Sequence, residues 1–163
     1  MATITAQLIV NSDITDYGLS INKAMTLTKA GTNNGLERTS GVQRVHLEDK
    51  KHVDLVVGGL AGSAVADMTV TGDTAAKVYV KYLSDDTSKY VVVGLGNAKN
   101  NADLAATAND GDQTFFEIGR LYGNEWMIIP WNGASDVGDI TVQPSSASVS
   151  DGAATVEYIV FYQ

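Results

Sequence analysis

Hydrophobic and polar residues alternate with a period of two along most of this chain, which is the signature of strands with one buried face. Ile4, Ala6, Leu8 and Val10 share one face of a first strand. Leu19, Ile21, Met25 and Leu27 share a face of a second, with Ser20, Asn22, Thr26 and Thr28 opposite. Val45 and Leu47 fit a third strand, and Val53, Leu55 and Val57 a fourth. Ala76, Val78, Val80 and Tyr82 alternate with Lys77, Tyr79 and Lys81, which predicts a half-buried strand. The run Lys89–Leu95 reads as its hairpin partner across the polar turn Asp85-Asp86-Thr87-Ser88. Phe116 and Ile118 repeat the period, Tyr122-Gly123-Asn124 turns the chain, and Trp126–Trp131, Ile140–Gln143 and Thr155–Phe161 follow. The pattern predicts about ten short strands.

The breaks are those of a β protein. Asn34-Gly35 and Asp151-Gly152 are tight-turn pairs, because both residues of each tolerate positive φ. Val, Ile and Thr make up about a quarter of the chain, and branching at Cβ suits a pleated surface. Only residues 62–68 and 97–108 read as weak helical stretches, and the second has little apolar face. Pro130 cannot donate to a ladder, so its strand is expected at an edge or with a bulge there.

These elements predict an all-β fold: an antiparallel β-sandwich, jelly-roll-like, of about eight core strands preceded by an N-terminal strand or arm. Residues 1–163 read as one domain, with 1–15 as the candidate arm. At this length about two-thirds of the unfolded surface is buried on folding, enough for one core without covalent staples. No internal repeat or linker divides the chain. The absent cysteine pair disfavours an immunoglobulin domain.

Charge and composition narrow the function classes. The chain has 163 residues, 19 acids against 11 bases, a net charge of −8 and no cysteine. Phosphate binding needs clustered Lys and Arg, and the one adjacent basic pair, Lys50-Lys51, follows Glu48-Asp49. Neither a nucleic acid nor an anionic membrane is an expected partner. Zero Cys excludes a disulfide scaffold and thiol catalysis. No run reaches 18 apolar residues, and the opening MATITAQLIVNSD lacks the basic and long apolar regions of a secretory signal.

No catalytic or metal site is expected. His46 and His52 are six residues apart, which matches no zinc spacing, though a hairpin would bring them opposite each other. Asp110-Gly111-Asp112 and Asp136–Asp139 lack the acidic ladder and closing Glu of a calcium loop. Glu117, Glu125 and Glu157 sit at solvent-facing positions of alternating strands rather than as a cleft pair. Ala61-Gly62-Ser63-Ala64 and Gly133-Ala134-Ser135 miss the nucleophile elbow, and no phosphate-binding glycine loop is present. No cofactor is expected.

The aromatics are more informative. Phe115, Phe116, Tyr122, Trp126 and Trp131 fall close together. They can fill a core, meet a partner or stack a sugar. Trp126 and Trp131 are five apart, so strict alternation puts them on opposite faces and leaves at least one as a surface contact.

In its second half the chain combines KVYVKYL, a polar turn SDDTS, YVVVGLG, a Phe-rich strand, a tight turn, EWMIIPW, DITVQ and a closing VEYIVFY. Over residues 76–163 this order resembles small jelly-roll virion proteins of tailed bacteriophages: capsid cement or decoration proteins and related tail components. The resemblance implies a non-enzymatic structural protein on the capsid surface of a virion assembled in the host cytoplasm. Its implied partners are the major capsid protein and further copies of itself, as a dimer or trimer. Edges and arms would make the contacts. Candidate contact residues are Ile4, Gln7 and Ile9 in the first strand, Asn33 and Asn34 in the segment from Ala30 to Gly41, and Trp131. The competing reading is a carbohydrate- or receptor-binding module of a phage tail that uses the aromatics.

Overall fold

Apolar side chains at every second position leave each strand one face to bury, and the chain buries those faces by stacking antiparallel sheets. The computed structural model describes residues 4–11, 20–28, 35–36, 38–47, 53–56, 75–96, 116–132, 139–144 and 154–162. They form β1 (Thr5–Asn11), β2 (Ser20–Thr26), β3 (Arg38–Thr39), β4 (Gln43–Leu47), β5 (Val53–Val56), β6 (Ala75–Tyr82), β7 (Tyr90–Gly96), β8 (Phe116–Tyr122), β9 (Trp126–Asn132), β10 (Asp139–Pro144) and β11 (Ala154–Tyr162). Every pairing is antiparallel, and the described residues contain no helix. The candidate helical stretches 62–68 and 97–108 lie outside them.

A four-stranded sheet runs β5-β10-β7-β8. A second sheet runs β3-β11-β6-β9, and β4 pairs with β11 beyond β3. The two sheets share one core. Val78, Val80, Trp131, Val156 and Val160 from one sheet pack in the same cluster as Leu55, Val91, Val93, Ile140 and Val142 from the other. β11 shows the alternation most clearly: Ala154, Val156, Tyr158 and Val160 are buried, and the residues between them are partly exposed.

The expected hairpin of Lys89–Leu95 with Ala76–Tyr82 does not form. β6 has β11 on one flank and β9 on the other, so no edge remains for β7. β7 instead lies between β10 and β8 in the opposite sheet. The polar turn therefore crosses the sandwich. Likewise β4 and β5 sit in different sheets, so they do not pair as a hairpin; His52 lies outside the described residues.

Two corners interlock at this end. The Tyr82 N–H donates to the Glu125 carbonyl (3.1 Å), and the Asn124 N–H donates to the Tyr82 carbonyl (3.2 Å). Asn124 has φ +67°, which an Asn tolerates in a tight turn. Asp86 caps its own turn by accepting from the Ser88 N–H (2.9 Å) and hydroxyl (2.6 Å). The Ser88 hydroxyl is the main reason that the Asp86 carboxyl lies below its ordinary pKa.

Two irregularities shape the edges. Between β3 and β4, Ser40, Gly41 and Val42 span the gap that Ile159 and Val160 span on β11, so the edge strand carries one extra residue. Gly41 takes φ +70°, and Ser40 binds Val160 twice, through its N–H (2.9 Å) and by accepting at Oγ (3.0 Å). This is the geometry of a glycine bulge. On β8 the register shifts opposite Val93 and Gly94, so Ile118 is the extra residue and its period with Phe116 is broken. Pro130 lies on β9, an edge strand paired with β6 in unbroken register, so the edge expectation holds and the bulge does not occur.

β1 and β2 pair only with each other among the described residues, as a two-stranded ribbon in continuous register from Thr5↔Thr26 to Asn11↔Ser20. The first strand is thus half of a hairpin with β2 rather than a lone strand. The base of the hairpin is held by Leu27, whose N–H donates to the Ile4 carbonyl (2.8 Å), and by the Leu36 N–H on the Leu27 carbonyl (2.8 Å). Leu27 and Leu36 are both fully buried.

Candidate functional site

The outer face of the β3-β11-β6-β9 sheet is built in rows across the strands. Registers place Ile159 beside Tyr79 and Tyr79 beside Ile128, an apolar row. On one side lies Arg44-Glu157-Lys81-Trp126. On the other lies Thr39-Phe161-Lys77-Pro130. A sheet face left to water would place polar residues at all these positions. Here the central row is apolar because the β1–β2 ribbon reaches over it.

The ribbon and the sheet leave an open groove of about 320 Å³. Ile4, Thr5, Ala6 and Gln7 form one wall with Leu27. Tyr79, Ile128, Ile159 and Phe161 form the floor, with Trp126 and Glu157 at their ends. The Tyr79 and Trp126 rings tilt toward each other with centroids 6.0 Å apart. Glu157 is mostly covered and binds Arg44, whose Nη2 and Nε lie 3.0 and 3.1 Å from Oε2. Burial, and secondarily the Glu157 carboxylate, push the Tyr79 phenol above its ordinary pKa. The groove is therefore largely apolar, with one aromatic pair and one neutralised carboxylate. Among the described residues no three of His, Cys, Asp and Glu gather as a metal site. His46 shares a hydrogen bond of 2.8 Å with the Thr155 hydroxyl.

The residues expected at a contact surface fall in different places. Ile4 and Gln7 line the groove, and Gln7 Nε2 also donates to Asn22 Oδ1 across the ribbon (2.9 Å). Ile9 is 57% exposed, farther along β1. Asn33 and Asn34 lie outside the described residues. Trp131 is corrected: it is 4% exposed and belongs to the core. Strand alternation then turns Trp126 outward, 50% exposed, so Trp126 is the surface tryptophan.

Sequence reasoning missed Tyr79, Ile128, Ile159 and Phe161. A signal was present: β9 and β11 are apolar at both parities, in Ile128-Ile129 and Ile159-Val160-Phe161, which marks strands covered on both faces. Of the three glutamates expected to face solvent on strands, Glu117 does so on β8 and pairs with Arg120 (2.9 Å); Glu125 is exposed but lies in the turn between β8 and β9, where it accepts from the Tyr122 N–H (2.9 Å); and Glu157 is instead mostly covered, against Arg44.

No protein-family model matches this chain, and no curated protein or solved structure is significantly similar to it.

Proposed function

We propose that this protein is a non-enzymatic structural component of a phage virion, a capsid cement or decoration protein that binds capsid subunits through its N-terminal hairpin. The observation that carries the reading is the hairpin itself. Leu8, Ile9 and Met25 are each about half exposed on a ribbon that pairs with no other described strand. A two-stranded ribbon is marginal in water, and exposed apolar side chains along it suit a partner surface.

The strand order supports the jelly-roll reading of the sandwich. Of the successive steps from β4 to β11, only β7 to β8 stays within one sheet. Taking β3 and β4 as one edge, the sheets follow chain order first-eighth-third-sixth and second-seventh-fourth-fifth, as in two interleaved Greek keys. Viral capsid proteins and lectins both use this architecture, so it favours an assembly or recognition role without deciding between them.

The deciding measurement is co-sedimentation with intact particles from the host that encodes the protein, with its copy number by quantitative mass spectrometry. A copy number on the order of hundreds per particle fits a repeated capsid lattice. Absence from particles overturns the reading, and a few to tens of copies reassigns the protein to the tail. The tilted Tyr79–Trp126 pair beside an open groove favours a second reading, a carbohydrate- or receptor-binding tail module. A glycan-binding screen that gives saturable, Trp126-dependent binding would establish it.

A further inference from the structure

We infer that β8 is a self-pairing edge: two copies of this chain join β8 to β8, antiparallel about a two-fold axis, and the β5-β10-β7-β8 sheet continues into that of the second copy. This goes beyond the virion reading and does not rest on it.

Three observations lead to it. First, β8 is the sheet edge least protected against pairing. Edges are blunted by short strands, proline, charge and bulges. At the other edges, β3 has two residues and is set off from β4 by the bulge at Gly41, β5 has four residues, and β9 carries Pro130. β8 has seven residues and no proline, and among the described residues it pairs only with β7. Second, this edge is apolar and uncovered. Phe116 is 64% exposed, Ile118 45% and Tyr122 38%.

Third, the residues of β8 select a second β8 as the partner. The bulge at Ile118 puts Glu117 opposite Gly94 and Arg120 opposite Val92, so both lie on one face although they are three apart. Their contact of 2.9 Å along the strand agrees. Phe116 lies opposite Leu95 and Leu121 opposite Val91, so these two share the other face. An antiparallel self-pair must set residues of the same face against each other. With the axis between Ile118 and Gly119, Glu117 meets Arg120 of the second copy, Phe116 meets Leu121, and the step Ile118-Gly119 meets its own reverse. A regular strand would turn residues three apart to opposite faces, so the bulge is what makes this register possible. Each charge then faces its opposite and each apolar residue an apolar one, which fixes the register of an isologous contact.

Charge reversal tests it. Full-length protein is studied by sedimentation velocity over a concentration series, as wild type, as Glu117→Arg, as Arg120→Glu and as the double variant. The wild type is expected to dimerise. Each single variant sets like charges together at both ends of the contact and is expected to weaken dimerisation by at least about tenfold in Kd. The double variant restores opposite charges and is expected to dimerise again. An equimolar mixture of the two single variants is expected to form heterodimers, because one then carries only basic and the other only acidic residues at these positions. Thermal melts check that each variant folds. The chain has no cysteine, so a disulfide gives a second readout that leaves both charges in place. Ile118→Cys, beside the axis, is expected to cross-link copies under mild oxidation. Val42→Cys, 58% exposed at the opposite edge of the other sheet, is not.

A wild type that stays monomeric overturns the inference, as does a dimer that the single variants leave unchanged. Weakening in the single variants without rescue in the double variant or the mixture overturns the register and the proposal with it. Cross-linking through Val42→Cys and not Ile118→Cys moves the contact to another edge and also overturns it. Particle co-sedimentation is a separate measurement: a β8-paired dimer that never sediments with particles overturns the virion reading alone.

Discussion

Trp126 and Trp131 lie on one strand, β9, and face opposite sides of it: Trp126 borders the open groove, and Trp131 sits in the core between the sheets. Their environments should separate in fluorescence. Iodide should quench one component and leave a blue-shifted one untouched. Trp126→Phe should remove the quenchable component with little loss of stability. Trp131→Ala should cost about 3–5 kcal/mol by leaving a cavity. If Trp131 proves the quenchable residue, the register of β9 is wrong.

Two glycines should resist substitution for different reasons. A Cβ on Gly123 would lie 2.5 Å from the Asp86 carbonyl oxygen and 2.7 Å from that of Ser84. Both are backbone atoms of the interlocked corner, so Gly123→Ala should destabilise by about 1–3 kcal/mol through overpacking. Gly41 has open space around it but φ +70°. Gly41→Ala should therefore cost about 1–2 kcal/mol in strain alone, and Gly41→Asn less, because Asn tolerates this region. Chemical denaturation of the three variants checks the order, and an unaffected Gly123→Ala would refute the close approach of the corners.

Alkaline pH should weaken the fold through two tyrosines. Burial raises the Tyr158 pKa, and burial with the Glu157 carboxylate raises that of Tyr79. The folded state favours the neutral phenol, so this contribution is complete below the unfolded value near 10 and is lost as pH rises through the folded values. A spectrophotometric titration at 295 nm should show a late-ionising fraction. Tyr158→Phe and Tyr79→Phe should each remove part of it. Glu157→Gln should move Tyr79 only part of the way back, since burial is the larger cause. A single transition at the ordinary value would contradict this account.

How much of this was legible from the residues follows from which physics is local. The alternation at Val78, Val80 and Tyr82 against Lys77, Tyr79 and Lys81 fixes the inward face of β6 wherever that strand lies. It carries no information about neighbours, so the polar turn after Tyr82 reads as a hairpin when it is a crossing between sheets. The outward face of β9 is ambiguous for a related reason. Ile128 and Ile129 are both apolar because the hairpin covers one side and the core the other, so the pattern does not tell which of Trp126 and Trp131 faces outward. The groove itself joins residues 4–7, Leu27, Tyr79, Trp126, Ile128, Glu157, Ile159 and Phe161, a juxtaposition set by tertiary packing and invisible to spacing.

The hairpin should behave as a unit separable from the sandwich. Its hydrogen bonds run within a two-stranded ribbon, residues 22–26 are all exposed, and the core cluster contains no residue of β1 or β2. Ribbons of this kind open at free energies well below global unfolding. Amides of β1 and β2 should therefore exchange with deuterium far sooner than those of Val78, Val80, Val156 and Val160. Deleting residues 1–26 should leave a cooperative melt, because the two sheets keep their shared core. It should also uncover the row Ile159-Tyr79-Ile128, so the shortened protein should bind a hydrophobic dye more strongly and aggregate sooner. Equal protection of hairpin and core amides, or loss of cooperative unfolding on deletion, would show that the ribbon is integral to the sandwich, and its use as a contact arm would then require it to give up structure that the fold depends on.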